Sequence, residues 1–250
     1  MNKIDKVFEN KKALIGFLTA GDPNLETTEK MILSMAEAGM DMIEIGLPFS
    51  DPITETESMQ KANIRALANG CTTDKVFDMM ERVRSKCDIP VIFMTYINPI
   101  FTYGKERFLQ KCASCGISGL NIPDLPYEER GEIEEECHKY NVARLSTIVP
   151  SKMERIREVA GHAEGFLCGM DLVDDRERIL PVLHQVSKLP CVADLGNASY
   201  EEAAEAAASF DGVIVGGAVE TLVEKYGENC ISHAADYVRM MKKAVEQAAA

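Results

Sequence analysis

The chain has 250 residues, 46% of them hydrophobic and 27% charged, which is enough apolar material for one large core and too much for a disordered protein. Lys and Arg number 27 against 40 Asp and Glu, a formal charge of −13. That balance excludes nucleic-acid or anionic-membrane binding through a general basic face, but leaves room for a local pocket that takes a phosphorylated metabolite. The opening "MNKIDKVFENKKALIGFL" carries no secretory apolar core. No apolar run approaches the length that spans a bilayer, so a cytoplasmic protein without a membrane partner is expected.

Along the chain, short apolar runs recur in the order "ALIGFL", "MIEI", "VIFMT", "GLNI", "ARLSTIV", "GFLC", "CVAD" and "GVIVGG". Between them lie amphipathic stretches such as "TTEKMILSMAEAG", "DKVFDMMERVRSKC", "YEERGEIEEECHKY" and "YEEAAEAAASF", and "NCISHAADYVRMMKKAVEQ" follows the last. Strands alternating with helices predict βαβ units and a parallel sheet. Eight such units in a chain of this length, with no linker dividing it, predict a single α/β domain over residues 1–250, a (β/α)8 TIM barrel. An open doubly wound sheet is the competing architecture. It is weakened because "LTAGDPNLETT" stands where a glycine-rich dinucleotide fingerprint belongs.

The second run reads "DMIEIGLPFSDPITETES". Strand side chains alternate, so Met42 and Glu44 share one face and Ile43 and Ile45 the other. An ionised carboxylate on a buried face is costly unless it is paired or hydrated. In a barrel, Glu44 would point inward at the mouth where the strands end, which is where barrel enzymes place their chemistry; the alternative is a carboxylate satisfied by neighbouring backbone N–H groups. The eight cysteines include one close pair, Cys112 and Cys115, on an expected helix. With no second such pair and no nearby histidine they make no zinc set, so no metal is expected and they read as small buried hydrophobes.

The loops then resemble a known family. "FLTAGDP" after the first strand, "IEIGLPFSDP" after the second, "MTYINPIFTYG" after the third and "IPDLP" after the fourth are similar to the tryptophan synthase alpha subunit, as are "KANIRALANGCTTDKVF" and "DGVIVGGA". The resemblance implies a lyase that cleaves indole-3-glycerol phosphate, a small-molecule substrate, into indole and glyceraldehyde 3-phosphate by a retro-aldol step. It implies no cofactor in this chain, and a pyridoxal-phosphate beta subunit as partner in an α2β2-type assembly. Residue by residue, it implies Glu44 as the acid/base and Glu55 as the second acid, holding the indole N–H, with Glu57 as a further acid nearby. Phe17, Tyr96 and Ile148 match places that pack the indole ring or support its acid. Gly196, Asn197, Gly216 and Gly217 match the phosphate end, and Asp51, Pro52, Asn98, Phe101 and Pro126 match the beta-subunit face.

The same resemblance marks departures. Asp194 stands where a glycine is usual, Gly217 where a serine follows the glycine, and Cys168 where a tyrosine is usual; the loop "GMDLVDDRERIL" lacks the lid with its threonine. A carboxylate beside a phosphate is repulsive. Two functions therefore compete: the lyase, acting through Glu44 and Glu55, and a catalytically impaired alpha-like barrel that binds and regulates a beta subunit. An unrelated sugar-phosphate isomerase barrel would leave "PFSDP" unexplained.

Overall fold

The structure, a computed structural model, describes residues 3–248. Its strands are β1 (Ala13–Thr19), β2 (Met42–Gly46), β3 (Val91–Met94), β4 (Ile117–Asn121), β5 (Ala143–Arg144), β6 (Ser146–Ile148), β7 (Leu167–Met170), β8 (Cys191–Asp194) and β9 (Gly212–Val215). All pair in parallel, in the order β5-β4-β3-β2-β1-β9-β8-β7-β6. The two ends of this order are one stretch of chain. β5 pairs with β4, β6 pairs with β7, and only Leu145 lies between them. The run "ARLSTIV" is therefore a single fifth strand that splits its loyalties, and the sheet closes on itself as an eight-stranded barrel.

Alternation along each strand sorts side chains between two apolar layers. Ile15, Phe17, Met42, Ile92, Met94, Val192 and Ile214 fill the barrel interior. Leu14, Leu18, Ile43, Ile45, Phe93 and Val213 face the other way and pack beneath the helices. The runs carry apolar residues at successive positions because both faces are covered. The short helix Lys3–Val7 closes the end where the strands begin, with Ile4 and Val7 joining the interior cluster. The interior therefore opens at the opposite end, where the strands finish.

Local signals set the helices. Asn24 caps the helix Leu25–Glu37 by accepting the Thr27 amide at 2.8 Å. Thr72 caps the helix Thr73–Arg84, and Ser199 with Glu202 forms a capping box on the helix Tyr200–Ser209. The stretch "YEERGEIEEECHKY" departs from one continuous helix. It forms a 3-10 turn at Tyr127–Glu132 and then an α-helix, Glu134–Tyr140. Gly131 weakens the helix where the two meet, and buried Ile133 turns the chain into the core. Cys112 and Cys115 are buried and free. No helix among the described residues is long and apolar enough to cross a membrane.

Candidate active site

A cavity of about 850 Å³ lies at the C-terminal ends of the strands, with Phe17, Glu44, Asn121, Ile148, Asp194 and Gly217 among its lining. Glu44 reaches it from the middle of β2, facing inward between Phe17 of β1 and Ile92 of β3, and is only 3% exposed. Among the described residues its carboxylate has one hydrogen-bond partner, Asn121 Nδ2, which donates to Oε1 at 2.9 Å. Burial pushes the carboxyl up to about 7 from 4.5; Asp194 adds to the rise by like charge, and the Asn121 bond opposes it. A carboxyl titrating there can take and return a proton near neutral pH.

The second loop is fastened by Tyr96, which is almost fully buried. Its hydroxyl accepts the amides of Ile53 at 3.2 Å and Thr54 at 3.4 Å, and its ring lies 5.1 Å from that of Phe49. Glu55 turns toward Asn63 Nδ2, which donates to it, and toward Tyr96; neither Glu55 nor Tyr96 lines the cavity. Burial raises the Glu55 carboxyl, against the two bonds that lower it. Glu57 does reach the cavity rim, but it is exposed, and Lys61 at 2.9 Å holds its carboxyl below the usual range. Phe17 and Ile148 both line the cavity.

At the far wall, Gly196, Asn197, Gly216 and Gly217 come together between β8 and the helix Gly217–Tyr226. The amides of Gly216 and Gly217 both donate to Gly196 O at 3.0 Å, and Gly196 takes a left-handed φ of 55° to allow it. The structure also gives a reason for the missing serine. A Cβ on Gly217 would lie 2.9 Å from Asn197 Cβ, so any side chain there forces the turn apart. Asp194 lines the cavity and accepts the Gly196 amide at 3.1 Å; burial raises its carboxyl above the usual range.

Beyond β7 the loop is only residues 171–175 before the helix Arg176–Val186 begins, and Asp171 there lines the cavity with a left-handed φ of 56°. Cys168 is buried inside the barrel. On the outside, Phe49, Asn98, Pro99 and Tyr103 line a shallow surface groove of about 350 Å³. Ile53 and Phe101 stand beside these loops with 71% and 44% of their surface exposed, while Asp51 is exposed and Pro52 half-buried. Pro126 is exposed as well, but on the cavity rim.

Sequence reasoning passed over three residues. Asn121 lies within the run "GLNI" and ends β4, and its polar side chain at an inward position was the available signal. Glu220, in the first turn of the helix Gly217–Tyr226, is 2% exposed, accepts from Thr19 Oγ1 at 2.9 Å and Ser58 Oγ at 3.3 Å, and is pushed up to about 7, chiefly by burial. Arg144 in β5 is buried with Nε unpartnered, and the periodicity of its run gave no hint of it.

A closed parallel barrel with an inward carboxyl of raised proton affinity at its C-terminal mouth belongs with the (β/α)8-barrel enzymes. The family model described as tryptophan synthase alpha chain matches residues 4–249. A tryptophan synthase alpha chain from Lacticaseibacillus casei is 35% identical, with 98% of this chain and 96% of the relative aligned. One from a Thermoanaerobacter species is 38% identical over 92% of this chain and 94% of its own. Among solved structures, the tryptophan synthase alpha subunit of Legionella pneumophila superposes with a TM-score of 0.92 at 32% identity, covering 99% of each chain. A Mycobacterium tuberculosis tryptophan synthase chain in its aminoacrylate-bound form gives 0.89 at 27% identity, covering 98% of this chain and 100% of that one. The chain belongs to the tryptophan synthase alpha chain family, and with it to the lyases of tryptophan biosynthesis.

Proposed function

We propose that this chain cleaves indole-3-glycerol phosphate to indole and glyceraldehyde 3-phosphate with Glu44 as the acid/base. The observation that carries the assignment is an inward carboxyl at the mouth whose proton affinity lies near neutrality. The ring carbon bearing the glycerol chain gains a proton, and the ring becomes a cationic indolenine. The adjacent hydroxyl then loses its proton as the carbon–carbon bond breaks. The bonding pair returns to the ring, and the hydroxyl carbon leaves as the aldehyde. One proton is given and one taken, so a single carboxyl serves both steps with no net change. No cofactor of this chain is needed.

Phe17 and Ile148 supply apolar wall for the ring, and the turn of Gly196, Asn197, Gly216 and Gly217 at a helix N-terminus is the place for the phosphate, which the Gly216 and Gly217 amides would reach only by leaving Gly196 O. Glu55 would reach the ring nitrogen only by leaving Asn63, so its role depends on movement of the second loop. The outer groove, with Ile53, Phe101 and Asp51 exposed on the loops beside it, suits a beta subunit carrying pyridoxal phosphate, and the assembly would be cytoplasmic. A barrel that docks without turnover is not favoured, since the acid and its setting are present. Indole release from indole-3-glycerol phosphate, measured with and without the cognate beta chain, tests the reading. Glu44→Gln should nearly abolish release, because the amide keeps the shape and cannot exchange the proton. Wild-type rates in that variant would end the assignment.

A further inference from the structure

Glu44 hangs from a single side chain, and that side chain is itself held. The Asn121 backbone is pinned where its carbonyl accepts the Thr95 amide at 3.0 Å. Its Oδ1 accepts from Thr147 Oγ1 at 3.4 Å, across the place where β4 and β6 do not pair. Its Nδ2 donates to Glu44 Oε1 at 2.9 Å. The other oxygen, Oε2, has no partner among the described residues. Nor is it sealed: the side-chain polar atoms there that are both buried and unpartnered are Arg144 Nε and Tyr237 Oη. Oε2 therefore opens onto the cavity that Glu44 lines.

We propose that Asn121 is a positioning residue for the proton transfer: by holding Oε1 it presents Oε2 to the substrate, and both proton movements pass through that one oxygen. Resting on the assignment of Glu44 as acid/base, this adds what orients it. The arrangement serves both protonation states. Oε1 accepts the Nδ2 hydrogen whether or not Oε2 carries the proton, so the carboxyl need not turn between giving a proton and taking one. A carboxyl free to rotate would divide its time between orientations, and ångström-scale misplacement costs about 100-fold in rate.

The bond also bears on titration, because a donor to the ionised form favours it. The other groups facing Glu44 work in the opposite direction. Asp194 on β8 repels the carboxylate, Cys168 on β7 couples to it with the same sign, and Phe17, Ile92 and Met94 offer only apolar surface. Asn121 is thus the one contact among them that favours the anion.

The test uses the full chain, labelled with ¹³C at the glutamate side-chain carboxyl, with Glu44→Gln identifying the Glu44 resonance. In Asn121→Leu the Glu44 midpoint should rise by roughly one pH unit, the scale of a lost charge-assisted hydrogen bond. The limb on which indole release falls as Glu44 loses the proton it must give should move up with it. kcat should fall about 10- to 100-fold, with KM little changed. Thr147→Val, which keeps the direct bond but frees the amide, should give a smaller rise, and Asn121→Ala serves if the leucine variant does not fold. An unmoved Glu44 midpoint, or a fall in rate with the limb in place, would overturn the proposal. Wild-type indole release in Glu44→Gln would instead overturn the acid/base assignment, while the titration would still decide whether Asn121 sets the state of Glu44.

Discussion

Replacing Glu44 by glutamine should make the protein more stable while it destroys activity, and the gain should depend on pH. The folded carboxyl titrates at about 7, against 4.5 for the ordinary group. Between those values the folded chain holds a proton that the unfolded chain has lost, so stability falls as pH rises. Below 4.5 both states are protonated and no penalty exists; it is fully developed once pH passes the folded value. A displacement of about 2.5 units at about 1.36 kcal/mol each amounts to roughly 3 kcal/mol, a large share of a domain's net stability. Glutamine escapes this loss, and its carbonyl can still accept the Asn121 hydrogen bond. Urea denaturation of wild type and Glu44→Gln at pH 4.5 and pH 8 measures the difference. The variant should be more stable by roughly 3 kcal/mol at pH 8 and nearly equal to wild type at pH 4.5. Equal stability at both values would refute the claim that burial holds the Glu44 proton, and a gain of the same size at both would attribute the effect to packing.

Glu220, also pushed up to about 7, obeys the same sign. Glu220→Gln should stabilise the chain at pH 8 and not at pH 4.5, and the double variant with Glu44→Gln should show the sum of the two gains. Asp194→Asn keeps an acceptor for the Gly196 amide and removes the charge, so glycerol phosphate should bind more tightly by about tenfold per 1.4 kcal/mol of repulsion relieved. Calorimetry at fixed ionic strength reads the change, and equal affinities would place the Asp194 charge outside the phosphate's reach. Asp51→Ala with Phe101→Ala should weaken capture of the cognate beta chain in a pull-down and leave the Glu44 titration unmoved; undiminished capture would mean the docking face lies elsewhere.

The fold was legible because each strand is buried on both faces and so announces itself as an unbroken apolar run, and every such run in the sequence became a strand. What periodicity could not show was the split of the fifth strand at Leu145. A strand that pairs with one neighbour through its first residues and another through its last has the same composition as one that pairs with both. The helix starts were likewise carried by local chemistry at Asn24, Thr72 and Ser199, whereas the break near Gly131 depends on Ile133 finding the core.

The site was legible where function needs a residue that the fold would otherwise reject. A carboxylate inside an apolar run is such a residue, and Glu44 stood out for that reason. Asn121 did not, because an amide at a strand end has ordinary explanations; its meaning appears only when Glu44 and Thr147 are brought to either side of it. Glu220 was hidden by the opposite effect, since a glutamate in the first turn of a helix is common on a surface. Here the helix lies against the first and second loops, and the same residue becomes a buried link from Thr19 to Ser58. Gly217 shows how contact changes the meaning of a departure. Read from sequence, it is a lost hydroxyl; read beside Asn197, it is the residue whose lack of a side chain lets the two chain segments meet. Asp194 is a departure that close packing does not account for. It lines the chamber, it repels Glu44, and it raises the proton affinity of the carboxyl proposed as the acid/base. On the proposed mechanism the charge that opposes a phosphate also tunes the acid, so Asp194→Asn should tighten glycerol phosphate and at the same time lower the pH at which indole release begins to fall.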